Sequence, residues 1–181
     1  MIIPSFNWNK IMSQHKNTNS SKSEADDIIK LLKADHAKVK DLFDEFEELK
    51  DKSNNTSKKE KIVKQICEEL TLHALAEESI VYPTARETID DDDLMDEADV
   101  EHAGAKELIS QLQSMSAEDS HYDAKVTVLR EYIEHHVKEE EKNMFPKLTK
   151  SEIDRSEMAK EVIHFKEDHK DSRNKASSKK T

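Results

Sequence analysis

This sequence predicts an all-α protein: an antiparallel up-down-up-down four-helix bundle with a short C-terminal helix and polar tails. Three observations lead there. The 181 residues include one Gly and three Pro, so little interrupts long helices. The chain is 38% charged and only 34% hydrophobic, the mix of amphipathic helices with solvated outer faces. Its apolar residues recur at spacings of three and four along four long stretches.

Residues 1–22 are polar and unpatterned and read as a disordered tail, in which Phe6 and Trp8 are the groups able to dock on the domain. The bundle spans residues 23–149. Its first helix opens near Ser23, an N-cap candidate followed by Glu24, Asp26 and Asp27, where negative charge favours a helix start. It runs to about Asp51 with the inner stripe Ile28, Ile29, Leu32, His36, Val39, Phe43, Phe46. Ser53 to Thr56 is a loop. Ser57-Lys-Lys-Glu60 reads as a capping box opening the second helix, whose stripe is Ile62, Ile66, Leu70, His73, Glu77, Ile80, Val81. Pro83 ends or kinks it.

The acidic run Asp90 to Asp93 leads into the third helix, roughly 94–115, with Met95, Ala98, His102, Ala105, Ile109 and Leu112 inward. Ser116-Ala-Glu-Asp119 resembles a second capping box and opens the fourth helix, with Leu129, Ile133, His136, Glu140 and Met144 inward and Pro146 ending or kinking it. Residues 150–181 read as a short helix from Ser151 to about Phe165 and a disordered basic tail. Short connections make neighbouring helices antiparallel. Helices of roughly 28 residues at about 1.5 Å each are about 42 Å long, one bundle layer throughout.

A formal net charge of −11 argues against nucleic acid or anionic lipid as partner. No apolar run approaches the roughly 20 residues of a membrane span, and Met1 to Lys10 lacks a signal core. The single Cys67 allows no internal disulfide, and its apolar stripe makes it a buried thiol. A cytoplasmic monomer is the default expectation.

One pattern occurs twice. A lone His on an apolar face is followed, on the next helix, by His-x-x-x-Glu and then an aromatic–Pro pair. The first copy is His36, His73, Glu77 and Tyr82-Pro83; the second is His102, His136, Glu140 and Phe145-Pro146. Residues four apart share a helix face, so His73 projects with Glu77 and His136 with Glu140. A lone inward His is ordinarily a hydrogen-bonded core residue, and an inward Glu near a stripe's end ordinarily curls to water. Two ionised Glu in an apolar interior, each one turn from an inward His, are costly unless paired or bound to metal. Four imidazoles and two carboxylates are the ligands that two transition-metal ions require, and their chemistry suits Fe, Mn or Zn. His135 shares its face with Glu131, Lys138 and Lys142 and points to water. His15, His121, His164 and His169 lie in tails or at helix edges.

These residues resemble the hemerythrin-like family of HHE cation-binding domains over about residues 26–150. The matching segments are Asp35-His36, His73-x-x-x-Glu77-Glu78 with Tyr82-Pro83, Glu101-His102, and His136-x-x-x-Glu140-Glu141 with Phe145-Pro146. The resemblance implies a four-helix bundle holding a non-haem di-iron site, with two oxo- or hydroxo-bridged Fe ions and Glu77 and Glu140 as bridging carboxylates. Mn or Zn is less favoured. Oxygen-carrying members place a further His four residues after the third-helix His; here that position is Lys106. The resemblance then implies an open position on both metals, a site more easily oxidised than a carrier's. The Lys106 ammonium is expected to reach water or pair with a carboxylate. Glu69 and Tyr132, each one turn before a paired His, are candidate extra ligands or supporting partners; a rim carboxylate and a packed aromatic are the alternatives. The expected activity is binding or sensing of O₂, peroxide or NO. The alternatives are a redox or iron-cluster repair enzyme acting on peroxide or NO, and iron sequestration.

Overall fold

The computed structural model describes residues 26–52 and 55–178, with side chains through residue 172. It is all-helical, with no strand among the described residues. The elements are α1 (Ile28–Lys50), α2 (Thr56–Ala76), α3 (Tyr82–Thr88), α4 (Asp92–Gln113), α5 (Tyr122–Glu139), α6 (Phe145–Lys150) and α7 (Arg155–Ser178). Two π-helical turns, Glu77–Val81 and Glu140–Met144, join α2 to α3 and α5 to α6. The result is five helices, two of which carry a widened turn.

The core divides into two apolar clusters, and this division establishes the antiparallel order. The starts of α1 and α4 (Ile28, Leu32; Met95, Ala98) meet the ends of the second and fourth helices (Val81, Ala85; Phe145, Leu148). The ends of α1 and α4 (Phe43, Phe46; Ile109, Leu112) meet the starts of α2 and α5 (Ile62, Ile66; Val126, Leu129). His36, His73, Glu77, His102, His136 and Glu140 are the buried polar residues, and they lie between the two clusters. Three stripe residues, Ile29, Ile80 and Ile133, pack at the edge of the core and are half-buried.

Local structure departs from expectation at the helix ends. Asp27 is the N-cap of α1: its carboxylate accepts from Ile29 N at 2.9 Å and Lys30 N at 3.4 Å. Ser23, the expected cap, lies outside the described residues, as do Phe6, Trp8 and His15. The expected box at Ser57 and Glu60 does not cap α2, which starts at Thr56 after Asn55. The Glu60 carboxylate accepts instead from Ser116 Oγ and Ala117 N, both at 3.1 Å, and so holds the loop before α5. The Ser116–Asp119 pair closes a turn, with Ser116 N donating to Asp119 Oδ2 at 2.7 Å. The helix itself starts three residues after Asp119, past His121 in the left-handed region at φ 70°. Asp91 caps α4 through Leu94 N at 3.2 Å.

Pro83 and Pro146 do not end their helices, which continue to Thr88 and Lys150. Proline lacks an N–H and its ring crowds the preceding turn; a π-turn directly upstream accommodates that defect. The C-terminal helix is longer than expected, running through Lys170 to Ser178. Met158, Ala159 and Val162 anchor it on the first cluster, and packing here overrides a composition that alone suggests disorder. No described helix is long and apolar enough to cross a membrane. Cys67 is buried, and burial pushes its thiol up to about 11, with Glu68 adding to the effect.

Candidate metal centre

The π-turns begin at Glu77 and Glu140, so each inward carboxylate starts a widened turn one helical turn after its His. Two groups of ligand atoms form. His36, His73, Glu77 and Glu140 each offer an atom within 4.8 Å of the others, and so do Glu77, His102 and His136. Glu77 belongs to both: Oε1 lies 3.0 Å from His73 Nε2 and Oε2 3.5 Å from His102 Nε2. Glu140 Oε2 lies 3.3 Å from His36 Nε2 and 3.6 Å from His136 Nε2. The His102 and His136 Nε2 atoms are 3.1 Å apart.

A metal explains these atoms better than hydrogen bonding does. His36 Nε2, His73 Nε2, both oxygens of Glu77 and Glu140 Oε2 are buried and make no hydrogen bond of acceptable geometry. Buried polar atoms left this way cost about 1–3 kcal/mol each. Ligands bound to one ion at roughly 2.1 Å lie about 3.0 Å apart at right angles and about 3.4 Å apart at tetrahedral angles, and the observed separations of 3.0 to 3.6 Å cover that range.

Four outer carboxylates orient the four rings. His73 Nδ1 pairs with Asp35 at 3.1 Å, His102 Nδ1 with Glu78 at 2.9 Å, His136 Nδ1 with Glu101 at 2.8 Å and His36 Nδ1 with Glu141 at 3.0 Å. Each carboxylate sits beside a ligand in sequence and supports a ligand on another helix. The chain of support runs α1 to α2, the second helix to α4, α4 to α5, and the fourth helix back to α1. An ionised carboxylate only accepts, so each Nδ1 donates and each Nε2 faces the centre. The sequence shows the acidic neighbours of the ligands, but not which ring each one reaches.

The electrostatics follow. Burial would lower the His73 pKa, but Glu77 and Asp35 outweigh it and raise it to about 10. Asp35 falls to about 2 despite its burial, because His73 and Lys166 favour its charge. Burial likewise opposes the charge of Glu140, yet His136 and His36 hold it at about 2. His102 is lowered by burial, although Glu77 pulls the other way. His136 is raised, since Glu140 and Glu101 overcome its burial. A centre this rich in negative charge suits cations.

Tyr82 belongs to the site in a way the sequence reading missed. Its hydroxyl lies 3.2 Å from His102 Nε2 and 3.4 Å from His136 Nε2, and it donates to Glu140 Oε1 at 3.0 Å. Burial, Glu77 and Glu140 raise its pKa well above the usual value. Lys106 points out and binds both oxygens of Glu78 at 2.5 Å. Glu69 pairs with Lys38 at 2.6 Å. Tyr132 lies half-exposed against Gly104, where an added Cβ would stand 2.9 Å from its ring. Neither is a ligand: one is a rim carboxylate, the other a packed aromatic. His135 is 58% exposed, while His136 is inward.

A helical bundle with a buried His and Glu cluster at mid-height is a cation-binding fold. The chain belongs to the hemerythrin HHE cation-binding domain family, whose model matches residues 27–148. It is similar to a DNA nickase of Nostoc sp. (strain PCC 7120 / SAG 25.82 / UTEX 2576), 30% identical over 128 residues. That match takes in 71% of this chain but spans only 35% of the relative. The fold is also similar to the crystal structure of a hemerythrin HHE cation-binding domain-containing protein from Mycobacterium kansasii. The TM-score is 0.66 at 19% identity, over 81% of this chain and 88% of that one.

Proposed function

We propose that this chain is a non-haem di-iron protein that binds or senses a small ligand, namely O₂, NO or peroxide. One observation carries the reading. A cavity of about 30 Å³ lies against the ligand rings, walled by Val39, Leu70, Ala105, Ile109, Ile133 and Val137. Roughly 10–15 Å³ accommodates one water-sized molecule, so the space has room for a two-atom ligand. His36, His73, Glu77 and Glu140 would hold one iron. His102, His136 and Glu77 would hold the other, with the Tyr82 oxygen beside it. Iron, when bound, supplies Lewis acidity and reversible electron exchange. The protein's part is to hold Nε2 lone pairs inward, share Glu77 between the metals and keep bulk water out.

Tyr82 favours a second reading, turnover of peroxide or NO. Its phenol is a buried hydrogen-bond donor held 3.0 Å from Glu140, a polar group beside the second ion's ligands that the first half lacks. The net charge of −11 keeps nucleic acid outside the proposal, because phosphate binding relies on cationic residues. The test is anaerobic ferrous loading followed by elemental analysis and exposure to NO, O₂ and peroxide. About two irons per chain and one ligand bound per centre are expected. Less than about half an ion per chain sinks the proposal, and sustained O₂ evolution from peroxide selects the second reading.

A further inference from the structure

Each of the four outer carboxylates has a further partner on its solvent side, and one of these partners is unlike the rest. Asp35 meets the Lys166 ammonium of α7, Glu78 meets Lys106 at 2.5 Å, and Glu141 meets Lys33 at 3.6 Å. Glu101 meets an imidazole, with His135 Nε2 at 3.2 Å from Oε1. A charged ammonium has no lone pair to offer and repels an approaching cation. An imidazole is itself a ligand for divalent first-row ions. The approach through Glu101 is therefore the one described approach to the four rings that lacks a lysine at its carboxylate.

The surroundings of Glu101 fit a cation. Glu97 lies one turn earlier on α4, and Glu97, Glu101 and His135 each offer a ligand atom within 4.8 Å of the others. Glu131 shares an open cleft of about 320 Å³ with Glu101 and His135, and Tyr132 is its aromatic wall. The cleft therefore carries negative potential, which concentrates cations at its mouth. Glu101 also faces inward: its Oε2 holds His136 Nδ1 at 2.8 Å. One carboxylate thus connects an exposed ligand cluster to a ring of the buried centre.

We propose that Glu97, Glu101 and His135 form an outer site for a divalent first-row cation such as Fe²⁺ or Mn²⁺, from which ions load the buried centre. The loading half rests on the di-iron reading; the binding half does not. Glu97 and His135 are exposed and take no part in the core, so their variants keep the fold, and a melting curve checks this.

The experiment has two readouts. Protein with its buried centre already filled is titrated with Zn²⁺ by equilibrium dialysis. A third ion should bind, weakened about tenfold or more in Glu97→Gln and in His135→Ala. Metal-free protein is then loaded anaerobically with Fe²⁺, and uptake should slow several-fold in both variants, roughly as expected when an attracting site is lost. Iron retained by the buried centre after desalting should be unchanged. A third ion held equally well by both variants overturns the proposal, and so does an unaltered loading rate. If the protein takes up no iron, the di-iron reading fails on its own. Zn²⁺ stoichiometry of metal-free wild type against His135→Ala then decides the outer site, and equal values overturn it.

Discussion

The two halves of the candidate metal centre descend from one repeated pattern, and within them the aromatic partners differ by a single oxygen. In the first half Phe145 stacks on His36, with ring centroids 5.9 Å apart and planes within 6°. In the second half the corresponding Tyr82 stacks on His102 at 5.2 Å. The phenol oxygen reaches His102, His136 and Glu140, and no equivalent atom exists on Phe145. It also occupies Oε1 of Glu140; Glu140 groups with His36 and His73, while Glu77 belongs to both groups. A two-fold sequence pattern therefore yields two unequal clusters: four close His and Glu side chains in one half, three and a phenol in the other. The surroundings differ too. The Asp35 behind His73 is tied down by α7 through Lys166, whereas the Glu101 behind His136 faces an exposed His135.

The largest test removes what both halves share. His36, His73, Glu77 and Glu140 hold buried polar atoms that make no hydrogen bond, and a cation bound by them in the folded state stabilises it by mass action. Stripping the metal should lower the melting temperature by about ten degrees or more if binding contributes several kcal/mol. An identical melting curve for demonstrably metal-free protein would contradict this.

Glu77 is the one carboxylate grouped with both halves, so Glu77→Ala should reduce metal content in both, leaving less than about one ion per chain, since second partners alone shift affinity by about 10–100-fold. Glu140→Ala should spare the second half more. Equal occupancy in the two variants, measured by elemental analysis, would erase the distinction between them.

Next comes the register of the fourth helix. His136→Ala should lower metal content clearly, while His135→Ala leaves the final content near that of the wild type. Loss with His135→Ala alone would reverse the assignment.

The aromatic pair can be made alike from either side. Tyr82→Phe removes a hydrogen-bond donor to buried Glu140, an effect of about 1–3 kcal/mol, and should weaken the second metal about tenfold or more while the first stays bound. Phe145→Tyr should have the smaller effect, because its half already has four ligands. Stepwise metal titration separates the two ions, and equal weakening of both by Tyr82→Phe would argue against inequivalent halves.

The smallest effect concerns acid. Asp35 and Glu140 sit at about 2, below ordinary values of 3.8 and 4.5. Their neighbours, His73 and Lys166 for the first and His136 and His36 for the second, favour the charged form against the penalty of burial. A depressed carboxylate contributes stability above its unfolded pKa and loses it as pH falls through its folded pKa. Metal-free protein should therefore lose stability progressively from about pH 4.5 to about pH 2. Urea midpoints that stay flat across that window would exclude the contribution.

Much of this centre was legible before any coordinates. The apolar stripes placed His36, His73, Glu77, His102, His136 and Glu140 inward because a helix turns about 100° per residue and a stripe records which side is buried. The same reasoning separated His136 from His135; of the two outcomes expected for Lys106, water or a carboxylate, the structure has the Glu78 carboxylate. The capping boxes at Ser57 and Ser116 misled because their short side chains can bind any nearby donor, and in the fold Glu60 and Asp119 serve a loop and a turn. Glu69 and Tyr132 were on the right face by count but at its edge.

The sequence by itself determined the helical class, the inward ligands, their repeat and the family, since each depends on spacing along a single helix. Tertiary structure decided which carboxylate holds which ring, that the Tyr82 oxygen enters the centre, that both prolines act through π-turns, and that α7 extends and brings Lys166 to Asp35. Those outcomes depend on how helices rotate and slide against one another. A shift of one or two ångströms changes a partner without changing the pattern of apolar residues, so no periodicity along the chain records it.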